Sequence, residues 1–252
     1  MWARHRKWII LSIIGAVILF IVAVTLVATL YKTPTCFDQK QNQDEQGIDC
    51  GGSCTLLCYA SQQELSEDFV RQISLPGGRT DVIAYISNKN RGAAARDVDY
   101  RVTLYGADNI IIASKTGTID VPPTSTLPLF LPGFYSGYQK VARAFIEFDN
   151  VQWYRYEDQR PILPISNTVV TEGESPRVTA QINNPTARTI YKIPVVVTLF
   201  TSNGNGIDNA IAASQTVVSS IPAQGSADLV FTWNAPFSDK VVRTEIIPVQ
   251  PL

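Results

Sequence analysis

Histidine and methionine are almost missing from this 252-residue chain, at one residue each. The single histidine, His5, lies in the N-terminal tail. Everything after it lacks imidazole, which excludes Ser-His-Asp and Cys-His catalysis and any His-ligated metal from that part. Charge is sparse as well: 17% of residues are Asp, Glu, Lys or Arg, and the formal net charge is −1. There is no basic excess of the kind that binds nucleic acid. No glycine-rich phosphate loop opens a helix, because Gly204 and Gly206 stand in an Asn-Gly-Asn-Gly turn between strand patterns. Cysteine is confined to four residues between Cys36 and Cys58, so whatever folds after them must hold by burial alone. Disorder is excluded by a 45% hydrophobic and 10% aromatic content. The length suits a membrane segment plus two small domains of about 100 residues each.

One long apolar run is present. Trp8 to Tyr31 gives 24 consecutive uncharged residues, and a span needs roughly 20 at 1.5 Å rise. Arg4, Arg6 and Lys7 precede it and only Lys32 follows closely, so the positive-inside rule places the N-terminus in the cytoplasm. Trp8 and Tyr31 stand at its two edges, where amphipathic rings favour the interface. The alternative is a cleaved signal peptide, but its apolar core is usually about 7–15 residues and no Ala-x-Ala site follows here. The expectation is a single-pass protein of the cell membrane, in contact with the lipid bilayer, with its C-terminal domains outside the cytoplasm. The tail removes three of the 21 basic residues, leaving 18 against 22 acidic ones, a mildly acidic ectodomain.

The cysteines Cys36, Cys50, Cys54 and Cys58 are spaced C-x13-C-x3-C-x3-C. Outside the cytoplasm disulfides persist, and the spacing lacks the paired arrangement of a zinc site. Two disulfides are expected, with three pairings open. Between them Asp38, Asn42, Glu45 and Asp49 recur every three or four positions. Oxygen donors along a stapled loop are candidate calcium ligands, and calcium is the one cofactor considered. The alternative is a polar, disulfide-closed loop whose acids face water. After the loop, Ser61-Gln62-Gln63-Glu64 fits a capping box with Ser61 as N-cap, predicting a short helix or turn.

This stretch resembles a motif of bacterial and archaeal surface proteins, many from candidate phyla: C-x-D-G-x-x-N-x-x-E-x-x-x-D-C-G-G-x-C-x-x-C. Cys36, Asp38, Asn42, Glu45, Asp49, Cys50, Gly51, Gly52 and Cys54 match. Gln39 stands where the motif has Gly, and three residues rather than two precede Cys58. The match covers about a tenth of the chain. It implies an extracytoplasmic setting and no established activity.

The remainder repeats itself. Ala84-Tyr85-Ile86-Ser87-Asn88 parallels Ala180-Gln181-Ile182-Asn183-Asn184, and Val102-Thr103-Leu104-Tyr105 parallels Val197-Thr198-Leu199-Phe200. Ala113-Ser114 and Lys140-Val141-Ala142-Arg143 recur as Ala213-Ser214 and Lys240-Val241-Val242-Arg243. Four matches in one order predict a tandem duplication, each copy with its own core. Val98, Tyr100, Val102 and Leu104 alternate with polar residues, as do Leu229, Phe231 and Trp233, which is the period of a half-buried strand. Pro76-Gly77-Gly78, Pro122-Pro123 and Pro132-Gly133 punctuate the strands. The expected fold is an all-β ectodomain of two tandem Ig-like antiparallel β-sandwiches after one transmembrane helix and a short Cys-rich stem. The boundaries read are 1–7 cytoplasmic tail, 8–31 transmembrane helix, 32–60 stem, 61–160 first sandwich and 161–252 second. The pattern resembles the bacterial Ig-like modules FxLYD and CARDB, carried by Asn88, Val102-Thr103-Leu104-Tyr105, Pro122 and Leu127. That resemblance implies a fold rather than a function.

Two aromatic groups are candidate interfaces. Trp153, Tyr154 and Tyr156 precede the stiff connector Arg160-Pro161-Ile162-Leu163-Pro164. They are expected to touch the second sandwich and hold the pair as a semi-rigid rod, with the 202–209 turn as an exposed contact loop. Phe134, Tyr135 and Tyr138 lie in a loop, the usual place for binding function on a rigid scaffold. Asp97 and Asp99, with Arg96 and Arg101 beside them, form a charged sheet face and not a carboxylate dyad. The expected function is a non-enzymatic, anchored binding or spacer module at the cell surface, its partner a protein or a cell-wall polymer. The alternative is a structural subunit of an envelope-spanning complex of the secretion or pilus type, where Gly15-Ala16 and Ala23 would let another helix approach.

Overall fold

The computed structural model describes residues 2–30, 35–202 and 208–252. Helix α1 (Trp2–Leu30) is apolar from Trp8 to Ala28, and that stretch is exposed among the described residues. Its 21 residues measure about 30 Å at 1.5 Å each, the thickness of a hydrocarbon core. The Thr25 hydroxyl donates back to the Ile21 and Val22 carbonyls, so the polar group is satisfied within the helix. The helix is long and apolar enough to serve as a membrane anchor or a signal sequence. Tyr31, the expected inner edge of the second interface, lies outside the described residues.

The chain divides into two compact units, residues 1–54 and 55–252. The second unit is all β. Its first half contains β1 (Leu56–Leu57), β2 (Ser66–Leu75), β3 (Arg79–Asn88), β4 (Ala93–Tyr105), β5 (Ile111–Val121), β6 (Ser125–Ser136), β7 (Arg143–Asp149) and β8 (Gln152–Arg155). Its second half contains β9 (Ile165–Thr171), β10 (Arg177–Asn183), β11 (Ile190–Ser202), β12 (Asp208–Ile221), β13 (Ser226–Thr232) and β14 (Arg243–Pro248). All the pairings are antiparallel. In the first sandwich, sheet β2-β3-β6 faces sheet β1-β8-β4-β5, to which β7 adds on β4. In the second, sheet β9-β10-β13 faces sheet β12-β11-β14. Strand for strand, the two halves share one pairing scheme, and only β1 and β8 lack a counterpart.

Each sandwich closes on its own apolar core. Val82, Ala84, Ile86, Val98, Val102, Leu104 and Trp153 belong to the first. Val178, Ile182, Val195, Val197, Leu199, Leu229 and Phe231 belong to the second. A buried asparagine pins the same corner in both. The Asn88 amide donates to the Ala93 and Pro122 carbonyls at 2.8 Å each, and its Oδ1 accepts the Asn90 N–H at 2.9 Å. The Asn184 amide donates to Arg188 at 2.8 Å and Pro222 at 3.0 Å, and its Oδ1 accepts the Thr186 N–H at 3.0 Å. Both residues are 1% exposed. In each copy one side chain satisfies backbone groups of two connections that would otherwise be buried without partners.

The capping box does not start a helix. Ser61 closes a single 3-10 turn over Tyr59–Ser61, its hydroxyl donating back to the Cys58 carbonyl, and the chain leaves extended. The last stem residues also differ from the expected boundary, because Leu56 and Leu57 pair with Tyr154 and Trp153 and so join the first sandwich.

Candidate functional site

The stem is a hydrogen-bonded, cross-linked loop. Cys36 is joined to Cys54. Cys50 and Cys58 are disulfide-bonded too, and no free cysteine occurs among the described residues. The four oxygen-bearing residues come together in one network. The Asp49 carboxylate accepts the backbone N–H of Asp38 at 3.0 Å and of Gln39 at 2.9 Å. Asp38 accepts the Lys40 N–H at 3.0 Å and the Asn42 side-chain amide at 2.9 Å. Glu45, 9% exposed, accepts the Asn42 N–H at 3.0 Å, and its other oxygen lies 3.4 Å from Cys54 Sγ. For Asp38, burial works upward on the carboxyl, but the hydrogen bonds from Asn42, Thr35 and Lys40 outweigh it and hold the group below its ordinary pKa. In this arrangement the carboxylates accept N–H groups from several parts of the loop and brace it internally. Cys36, Glu45 and Cys54 bring ligand-type atoms within 4.8 Å of one another, but the two sulfurs are joined to each other and offer no thiolate pair.

The glycines of the motif have a steric reason. Gly52 has φ +54°, and a Cβ there would lie 2.2 Å from the Asp44 carbonyl oxygen. Gln39, where the motif has Gly, holds φ +61°. The motif's glycine is therefore what this backbone favours, and Gln39 adopts the left-handed region at a cost of about 1–2 kcal/mol.

The aromatic groups are divided by burial. Trp153 is 1% exposed and part of the first sandwich's own core. Tyr154 and Tyr156 are half-buried beneath Arg96, whose guanidinium carbon lies 5.6 and 5.9 Å from their ring centroids. The expected bridge from this group to the second sandwich is therefore corrected: β8 pairs with β4, and that pairing turns Trp153 inward. Phe134 is buried under Lys115, and Tyr135 is half-buried with its hydroxyl accepting the Gln139 N–H. The expected aromatic loop is corrected: Phe134 and Tyr135 lie in β6, where Tyr135 pairs with Thr80, and of the three only Tyr138, past the strand end, is fully exposed. The proposed contact turn at 202–209 falls largely on residues outside those described.

What joins the sandwiches is a third apolar cluster on the outer faces of β3 and β11. Ile73, Ile83 and Tyr85 meet Val196, Phe200, Ala210 and Ala213. Phe69 stacks on Tyr85 at 4.6 Å, and Phe200 meets Phe69 edge-on at 5.8 Å. Arg243 lies 3.8 Å over the Phe200 ring and is paired with Glu245. Burial pushes the Tyr85 phenol well above its ordinary pKa; the Thr198 hydroxyl opposes this and the Glu245 charge adds to it. The connector is fixed to the C-terminal segment, as Arg160 donates to the Gln250 carbonyl and Gln250 donates to the Pro161 carbonyl. The pair is thus packed sheet against sheet, not joined as an end-to-end rod. Two clefts open along this seam. One, of about 660 Å³, is lined by Tyr85, Arg243 and Glu245. The other, of about 630 Å³, is lined by Phe130, Trp233 and Phe237 with Arg79 and Asp81.

A period-two pattern does not reveal the seam, but another signal in the sequence does. Val82-Ile83-Ala84-Tyr85-Ile86 and Val195-Val196-Val197 are unbroken apolar runs, the mark of strands buried on both faces.

No family model and no curated protein matches the chain. Among solved structures, one that it resembles is red sea bream transglutaminase, at 15% identity and a TM-score of 0.25. The likeness covers 74% of this chain and 29% of the transglutaminase, so the chain spans under a third of that protein.

Proposed function

We propose that this is a non-enzymatic, single-pass membrane protein whose N-terminus is cytoplasmic. Its paired sandwiches act outside the cytoplasm as a binding or spacer module toward a protein or wall polymer. The observation that carries the reading is α1, whose apolar stretch Trp8–Ala28 is long enough to cross a bilayer and is exposed. The disulfides of the stem favour an oxidising compartment. The repeated asparagine corner and the shared pairing scheme favour descent of the two sandwiches from one duplicated module. The lack of histidine after His5 weighs against hydrolytic and His-metal chemistry. The motif at Cys36–Cys54 supports the same placement through its resemblance to prokaryotic surface proteins. We read Asp38, Asn42, Glu45 and Asp49 as the internal scaffold of the stem.

The test is chemical crosslinking in intact membranes with identification of the captured partners, combined with protease shaving from outside. The reading expects residues 55–252 to be cleaved from outside and a wall or surface component to be captured. A stoichiometric integral-membrane partner would favour the envelope-machine subunit. A mature chain that begins after Tyr31 and is found in the soluble fraction would contradict the anchor.

A further inference from the structure

The segment Thr35–Cys54 contains only two large apolar side chains besides cysteine, Phe37 and Ile48. Neither enters the stem's interior. Phe37 is 83% exposed and Ile48 is 63% exposed. The loop is closed by Cys36–Cys54, and its buried side chains are Glu45 and Cys54. Each of the two exposed residues stands next in the chain to one partner of a single hydrogen bond. Phe37 directly precedes Asp38, Ile48 directly precedes Asp49, and the Asp38 N–H is bonded to the Asp49 carboxylate at 3.0 Å. The pair therefore sits on one small, covalently stiffened platform.

The position of that platform along the chain identifies what covers it. Phe37 is seven residues beyond Leu30, the end of α1. Seven residues reach at most about 25 Å even when fully extended, and the headgroup layer beyond the hydrocarbon is several ångströms deep. The apolar surface of the stem is thus tethered within reach of the same bilayer that α1 would occupy. Aromatic and aliphatic side chains held at that level bury in the boundary between headgroups and acyl chains. The stem's acids are engaged in hydrogen bonds inside the loop, so they need not point at the lipid.

We propose that Phe37 and Ile48 form a lipid-docking edge that seats the stem on the bilayer surface. This inference rests on the anchor reading above.

The experiment uses the full chain reconstituted in phosphatidylcholine liposomes. Photoreactive benzoylphenylalanine is placed in turn at Phe37, at Ile48 and, as a distant control, at Tyr191, which is exposed on β11. Intact disulfides are verified by mass in each sample, and liposomes are floated before irradiation. Lipid adducts at positions 37 and 48 are expected to exceed those at 191 by about tenfold, as for residues held at an interface. A floated chain whose adducts at 37 and 48 match those at 191, or go to a second copy of the chain, overturns the docking alone. A chain that does not float overturns the anchor, and the docking with it.

Discussion

Between Thr35 and Cys54 the side chains in the interior are Glu45 and Cys54, whereas the sandwiches bury whole strands such as Val82–Ile86, at most 5% exposed. The stem is held by disulfides, by carboxylates gripping backbone N–H groups, and by residues set at positive φ. The sandwiches have no cysteine after Cys58 and rely on three apolar clusters. A unit of some 20 residues cannot bury enough surface to offset its ordering entropy, so it needs staples. A unit of about 200 residues can do so by packing alone. The difference in cysteine usage between the two regions follows from size.

Substitutions can break this comparison, and the largest effect belongs to the sandwich core. Trp153→Ala should destabilise the protein by about 3–5 kcal/mol, the usual cost of truncating a buried aromatic. Urea unfolding monitored by circular dichroism would measure it, and a loss below about 1 kcal/mol would mean that Trp153 is not a core residue. Next come the paired corners. Asn88→Ala and Asn184→Ala each strand buried backbone groups, at a cost of about 3 kcal/mol. Equal losses would sharpen the equivalence of the two sandwiches, and a loss in only one would break it.

The seam between the sandwiches should respond to alkali. Tyr85 has its pKa raised above the ordinary 10.0 in the folded state. Below pH 10 both folded and unfolded forms carry the phenolic proton, so its stabilising effect is fully present. Above pH 10 the unfolded form releases the proton first, and stability falls as pH rises toward the folded value. Tyr85→Phe should flatten this alkaline decline in a thermal-melt series from pH 8 to 11; an unchanged slope would remove Tyr85 from the account. The smallest effect is in the stem. Gln39→Gly relieves a left-handed non-glycine residue and should strengthen the loop by about 1 kcal/mol, seen as slower reduction of Cys36–Cys54 by dithiothreitol.

Much of this was legible in the sequence, for physical reasons that differ by region. The alternation in β4 and β13 and the repeated Asn-containing corner identify two antiparallel sandwiches, because one face of each strand is wet. The apolar run before Tyr31 is visible because a stretch of that length without a charge stands out against a chain that is 17% charged. The placement of Trp153 was not legible: whether a ring at the end of a domain turns inward or toward a neighbour depends on the register of β8 against β4, which composition does not encode. The seam was hidden because alternation analysis looks for one buried face, and β3 and β11 bury two. In the stem the residue types suited calcium as well as a disulfide-closed loop of water-facing acids, since a carboxylate that grips backbone N–H and one that faces solvent or an ion look alike in sequence.

Covalent staples hold the stem, and burial holds the sandwiches. Hydrogen exchange of the full protein, measured by mass spectrometry before and after reduction under native conditions, tests it directly. Backbone protection between Thr35 and Cys54 should collapse on reduction while β2 to β14 keep theirs. Loss of protection across β3 and β11 on reduction, or a stem that stays protected with all four thiols free, would contradict it.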